Sequence, residues 1–192
     1  MTATLRIAVL AAATAALAAC GGQTVKPTPP PVSAGPKPVS TASSATVVLA
    51  SASGSLVSGK LTLRPMGDGV HLTGEIGGLT PNSTHAIHIH EKGDCSAADA
   101  SSAGGHFNPA AQPHGQVDHG AHHAGDMDNL VANADGVAKV DAHASGVILG
   151  GGAPNDVAGR AVIVHASPDD YKTQPTGNAG ARLACGVIKT GR

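Results

Sequence analysis

An all-β fold of about eight short strands is what this 192-residue chain predicts, and three observations carry it. Its 26 Gly and 13 Pro break the chain at close intervals, which suits strands joined by loops better than a helical bundle. Two of the breaks, Asp68-Gly69 and Asn133-Ala134-Asp135-Gly136, are hairpin signals between apolar runs of strand length. No segment of residues 45–192 shows a helical period of useful length.

The strands follow in order. Residues 46–50 are apolar enough for a buried strand, whereas 55–59 alternate poorly and support no assignment. Lys60-Leu61-Thr62-Leu63 alternates cleanly, and the Asp68-Gly69 turn returns that strand as residues 70–76. Residues 85–90 place Ile87 and Ile89 on one face and His88 and His90 on the other, because strand side chains alternate. Residues 91–128 read as one long loop, a length that counts against an assignment unless the loop has a function. Strands at 130–131 and 137–140 flank the second turn, and 161–165 and 183–189 complete the set. Residues 147–149 are an additional weak candidate.

The core must be Val, Ile, Leu and Ala, since aromatics make up 1% of the chain. With a formal net charge of −1 and no block of like charge, nothing proposes nucleic acid as a partner. Length suits one domain plus appendages, divided at 1–19, 20–44 and 45–192. Arg6 followed by an apolar run over residues 7–19 has the form of a signal peptide, too short for a comfortable membrane span. It ends in Leu17-Ala18-Ala19-Cys20-Gly21, which resembles the lipobox of bacterial lipoproteins and implies cleavage before an acylated Cys20. The other reading is an ordinary secretory signal with a chance cysteine. Residues 20–44, rich in Pro, Ser, Thr and Gly, read as an extended tether. If Cys20 takes lipid, Cys95 and Cys185 remain as a disulfide pair in an oxidising compartment, or else as two separate buried thiols.

The chain has eleven His against one Tyr and one Phe, so its ring side chains are concentrated on groups that bind metal. His88, His90, His106, His114, His123, Asp126 and His165 are the candidates; imidazole binds copper and zinc well, and carboxylate joins it at zinc. Their setting is His88-Ile89-His90-Glu91, Gly105-His106-Phe107-Asn108-Pro109, His114-Gly115 and His123-Ala124-Gly125-Asp126. Gly159-Arg160 with His165, and Arg182-Leu183-Ala184-Cys185-Gly186-Val187-Ile188, follow.

In this order and at these intervals the motifs resemble the copper, zinc superoxide dismutases, bacterial lipoprotein type, over residues 46–190. The resemblance implies an eight-stranded Greek-key β-sandwich or barrel, immunoglobulin-like in architecture, with long metal-binding and electrostatic loops. It implies copper held by His88, His90, His106 and His165, and zinc by His106, His114, His123 and Asp126. His106 would then be shared as an imidazolate, releasing copper and taking up a proton as hydrogen peroxide forms. Arg182 would hold the superoxide anion over the open copper position, and Asp169 would join His88 to His114. An exposed acid is the other reading for Asp169, with adjacent Asp170 easily mistaken for it. Lys172 is a candidate steering charge, or a plain loop lysine.

The remaining histidines have plainer readings. His85 shares a strand face with Ile87 and Ile89 and is expected to be a satisfied core histidine, while His71 and His143 are expected to be solvated. His119 and His122 crowd His123, which is preferred as ligand because its interval to Asp126 matches the family. The expected function is conversion of superoxide to dioxygen and hydrogen peroxide by an exported protein lipid-anchored on the periplasmic side, as monomer or homodimer. Gly21 after Cys20 favours the outer membrane. The alternative is a non-catalytic copper and zinc buffer on the same scaffold, which has no use for an anion-holding Arg182. A zinc hydrolase would have Glu91 as its only nearby general base, and Glu91 reads as structural.

Overall fold

The computed structural model describes residues 37–191. The expected signal peptide, Cys20 and most of the expected tether lie outside the described residues.

Among the described residues ten strands form, all pairing antiparallel: β1 (Ala45–Ser51), β2 (Ser58–Met66), β3 (Gly69–Gly77), β4 (Thr84–His85), β5 (Ile87–His90), β6 (Leu130–Val131), β7 (Ala138–Ser145), β8 (Ala161–His165), β9 (Arg182–Val187) and β10 (Lys189–Thr190). Among the described residues the sole helical element is a 3₁₀ turn at Ser101–Ala103. Eight strands join one curled sheet in the order β5-β8-β9-β1-β2-β3-β7, with β10 also on β1; β4 and β6 pair separately.

The excess over eight has a physical cause. The backbone of Ala86 leaves the strand line to donate to Ser167 O at 2.9 Å, which divides the expected 85–90 strand. Ile188 likewise donates to Arg160 O at 2.8 Å, dividing 183–189. Residues 147–149 make no strand; Ile148 forms only an isolated bridge to Asp156. The poorly alternating 55–59 segment contributes Ser58 and Gly59 to β2, where Gly59 is squeezed against β3: a Cβ there would lie 2.4 Å from Glu75 O.

β1 is the corner of the sandwich. Its first residues pair with β2 and β10, and its last two, Ala50 and Ser51, pair with Cys185 and Ala184 of β9. The alternating burial of β1 sends Val47 and Leu49 into a core with Leu61, Leu63, Leu72, Ile76, Ile87, Ile89, Val162 and Val164. Phe107 is the one aromatic ring in that core.

β5 and β8 are buried on both faces, unlike β1. One face enters the aliphatic core. The other carries His88 and His90, opposite Ile163 and Ala161 in register, and is covered by the loops after β5 and β8. Beside it, Ala52, Ala100, Ala103, Ala161, Ile163 and Cys185 form a second small apolar cluster. Cys95 and Cys185 are joined as a disulfide across 90 residues, with Cα atoms 5.7 Å apart. That bond pins the Cys95–Gly104 stretch over β8 and β9.

Candidate metal centre

Three chain segments meet through a closed ring of backbone hydrogen bonds. Ile89 N donates to Gly125 O at 2.8 Å, Gly125 N to Phe107 O at 2.9 Å, and Phe107 N to Ile89 O at 2.8 Å. Each residue in the ring is a chain neighbour of ligand-type side chains: His88 and His90, His106, and Asp126. Gly125 makes the approach possible, since a Cβ there would stand 2.1 Å from Ile89 O. An isolated bridge between His90 and His106 continues the contact.

His165 arrives from β8. A register shift between Val164 and His165 places it opposite Arg182 of β9, skipping Leu183. The bulge re-aims both side chains at the end of the sheet.

Two buried ligand sets result, His88, His90, His106 and His165 in one and His106, His114, His123 and Asp126 in the other. Within each, one candidate ligand atom per residue lies within 4.8 Å of all the others. His106 belongs to both, its ring centroid 4.0 Å from that of His88 and 5.4 Å from that of His123.

Hydrogen bonds outside the sets determine which nitrogen faces inward. His88 Nε2 donates to Asp169 Oδ2 at 2.8 Å, leaving Nδ1. His90 Nδ1 donates to Gly104 O at 2.9 Å, leaving Nε2 3.4 Å from His165 Nε2. His165 Nδ1 faces Gly180 O at 3.4 Å. In the second set, His106 Nδ1 lies 2.8 Å, His114 Nδ1 3.0 Å and His123 Nδ1 3.4 Å from Asp126 Oδ1. The other carboxylate oxygen, Asp126 Oδ2, is occupied by N–H donors from His123 at 2.8 Å and Gly115 at 3.1 Å.

These sets fit metal ions. His88 Nδ1, His106 Nε2 and His114 Nδ1 are buried without a hydrogen-bond partner, a state that costs about 1–3 kcal/mol per group when nothing binds there. His114 Nδ1 is close to Asp126 Oδ1, but outside hydrogen-bond geometry. Three nitrogens and one oxygen suit zinc, and four imidazoles suit copper.

Charge distribution agrees. Desolvation pushes His90 down to about 2, His165 to about 3 and His106 to about 4, so these rings stay neutral and ready to donate lone pairs. His114 is also desolvated, but Asp126 and Asp169 together outweigh burial and raise it to about 9. Burial opposes ionisation of Asp126 and Asp169 as well, yet their histidine partners win and hold both below the ordinary carboxylate range.

Asp169 joins the sets from outside: Oδ2 accepts from His88 Nε2 and Oδ1 from His114 Nε2, at 2.8 and 2.9 Å. Asp170 is exposed and bonds Lys172 N, Thr173 N and Thr173 Oγ1 instead. Gly177, at φ +64, stands so close that a Cβ would lie 1.8 Å from Asp169 Oδ1.

Arg182 is half-buried and forked. Nη1 donates to Ala100 O at 2.7 Å and Nη2 to Gly104 O at 2.6 Å, and the side chain opens onto a recess lined by Ser53, Asp99, Ser101 and Gly180.

The other residues fall outside this constellation. His85 is buried, with Nδ1 2.8 Å from His165 O and Nε2 2.6 Å from Ser83 Oγ, so it buttresses the His165 backbone. His71 and His143 are not simply solvated: they face one another across β3 and β7 and engage Asp141 and Asp68 at 2.5 and 3.0 Å. That correction follows from register, which brings Asp141 of β7 beside His71 and Asp68 of the β2–β3 turn beside His143. His119 is exposed, and His122 bonds His123 O and Ser145 Oγ. Lys172 is exposed on the loop after Asp169. Glu91 packs against Gly104 and accepts from Gly105 N at 3.3 Å. Asn129 carries no pattern that distinguishes it in the sequence, yet it bonds both backbone groups of Asp169.

Comparison with known proteins gives the chemistry a context. Residues 57–188 match the family model described as copper/zinc superoxide dismutase. A protein of Caulobacter vibrioides named Cu-Zn superoxide dismutase is 48% identical over 136 residues, covering 68% of this chain and 78% of the relative. One from Aquifex aeolicus, named Cu-Zn superoxide dismutase 2, is 42% identical over 136 residues, covering 69% and 80%. Among solved structures, a SOD-like protein from Bacillus subtilis superposes with a TM-score of 0.67 at 38% identity over 73% of this chain and 95% of its own. The clock protein EA4 gives 0.69 at 37% over 80% and 98%.

Proposed function

This chain belongs to the copper/zinc superoxide dismutase family, and on that footing we propose how its own residues carry the reaction. It is an oxidoreductase that converts superoxide to dioxygen and hydrogen peroxide, with copper and zinc as cofactors. In our assignment His88, His90, His106 and His165 hold copper, and His106, His114, His123 and Asp126 hold zinc. When bound, copper supplies a centre that alternates between two oxidation states, and zinc supplies fixed positive charge with no redox chemistry.

The single observation that carries this assignment is the position of His106. One buried ring presents Nε2 to the four-imidazole set and Nδ1 to the mixed set. To serve both sets it would give up both ring protons, and Nε2 would then be a base placed to hold a proton for the product. The two-electron product needs two protons, so a base at the site shortens the route for one of them.

Arg182 binds the substrate. Its two carbonyl partners orient the guanidinium, leaving donors free toward the recess, and its charge attracts a small anion. A metal store on the same scaffold would use that arginine only to brace the Ala100 and Gly104 carbonyls, with no need of donors turned toward an anion. Asp169 holds His88 and His114 in their ligating tautomers, since a carboxylate can only accept.

We also propose export and lipid anchoring at Cys20. The supports are the Leu17-Ala18-Ala19-Cys20-Gly21 sequence and the Cys95–Cys185 disulfide, a bond characteristic of oxidising compartments. Cys20→Ser is expected to release the protein from the membrane fraction in soluble form.

Metal analysis combined with superoxide consumption by the purified protein tests the assignment. His123→Ala is expected to lose zinc while retaining most copper, and His165→Ala to lose copper with zinc retained. The reverse pattern would exchange the two sets.

A further inference from the structure

We infer that Asn129 is a positioning residue for the metal centre: its carboxamide holds the backbone of Asp169 and thereby fixes the carboxylate that joins His88 to His114. The inference rests on the metal reading of the site, though not on its dismutation chemistry.

The clamp is two-pointed. Asn129 Nδ2 donates to Asp169 O at 2.9 Å, and Asn129 Oδ1 accepts from Asp169 N at 2.8 Å. A carboxamide offers a donor and an acceptor side by side without charge, matching the N–H and C=O of one residue. Asp supplies acceptors only, and Ala supplies neither.

A third bond closes the assembly. Asn129 N donates to Tyr171 Oη at 3.0 Å, while Tyr171 N donates to Asp169 Oδ1 at 2.7 Å. Tyr171 sits at φ 59, a left-handed conformation that a bulky residue adopts only where its surroundings impose it. The other side of the carboxylate is walled by Gly177, where even a Cβ would collide with Asp169 Oδ1 and approach His114 Nε2 to 2.6 Å. Asp169 is thus held at its backbone by Asn129 and confined at its side chain by Gly177.

The location explains the consequence. Asn129 lies three residues after Asp126, so the clamp ties the loop carrying the zinc set to the loop after β8. Released from it, Asp169 can swing from His88 and His114, whose rings then lose both tautomer and direction. Loss of such an outer carboxylate typically lowers metal affinity 10–100-fold.

The test is zinc affinity of the full-length protein loaded with copper and zinc, measured by chelator competition. Asn129→Ala is expected to weaken zinc at least tenfold, and the near-isosteric Asn129→Asp to weaken it too because the Nδ2 donor is gone. In an Asp169→Asn background, Asn129→Ala should add less than twofold, since its route of action has already been removed. A general loss of structure would instead add its full effect in both backgrounds. Unchanged zinc affinity in both Asn129 variants, or a full tenfold loss in the Asp169→Asn background, would overturn the role. A wild-type protein that binds no zinc would overturn the site assignment itself, a separate and recognisable outcome.

Discussion

His90 and Arg182 share one acceptor: the carbonyl oxygen of Gly104 receives His90 Nδ1 at 2.9 Å and Arg182 Nη2 at 2.6 Å. A single peptide group therefore orients a metal-set imidazole and sets beside it the guanidinium that we propose holds the substrate. Gly104 sits at φ +73, a left-handed conformation suited to glycine, and packs against Glu91.

Because Arg182 contacts carbonyls rather than the ligand sets, Arg182→Ala is expected to leave copper and zinc contents unchanged. Its second-order rate should fall about 10–100-fold at low ionic strength, within the range that steering charges contribute. The rate should also become less sensitive to salt, because the attractive charge being screened is gone. Rates measured across ionic strength, with metal content determined on the same samples, check both halves.

The Cys95–Cys185 bond holds the stretch that presents the Ala100 and Gly104 carbonyls. Replacing both cysteines with Ser is expected to cost about 2–5 kcal/mol of stability, the range usual for a native disulfide. Activity per bound copper should fall as well, since Arg182 loses the frame for its fork. Denaturant unfolding and activity normalised to copper content provide the readings.

Gly125→Ala puts a methyl group 2.1 Å from Ile89 O in the backbone ring that unites the ligand segments. Overpacking of this kind costs roughly 1–3 kcal/mol, so the melting temperature of the loaded protein should drop by about 2–12 °C. Gly105→Ala is the matched control, because a Cβ at Gly105 meets nothing within 4 Å. Its melting temperature should stay near that of the parent protein.

Without metals, stability should peak near the ordinary pKa of histidine. His90, His106 and His165 are depressed to about 2, 4 and 3 by burial. Below pH ~6.5 the unfolded chain binds protons at these positions that the folded chain refuses, so stability falls as pH falls toward 4. His114, raised to about 9 by Asp126 and Asp169 against its burial, acts oppositely. Its contribution is present below pH ~6.5 and is lost as pH rises through about 9. Denaturant midpoints of the metal-free protein between pH 4 and 10 should therefore trace a maximum. Loading with metal should flatten the alkaline limb, since a ligating nitrogen carries no proton to lose.

Much of the fold was legible locally. Asp68-Gly69 predicted a hairpin that the structure pairs as β2–β3, whereas the Asn133–Gly136 turn joins β6 to β7 without pairing them: β6 pairs with β4 and β7 with β3. Alternation across residues 87–90 assigned Ile87 and Ile89 to the core and His88 and His90 to the opposite face. The breaks at Ala86 and Ile188 escaped local reading, because the cause of each is an acceptor carbonyl on a distant loop, Ser167 O and Arg160 O.

The sequence by itself determined the chemical groups: which side chains can bind metal, which cysteines can pair, and the arginine that we propose receives the anion. Residue type and short spacing carry that information, since tautomeric rings, thiols and charges are properties of single residues. Only the tertiary structure decided how they are aimed. The bulge that sets His165 opposite Arg182, the ring through Ile89, Phe107 and Gly125, and the Asn129 clamp on Asp169 each join segments separated by 17 to 40 residues. Such contacts leave no period or motif in the chain, because their energy resides in the close approach of backbones that are neighbours only after folding.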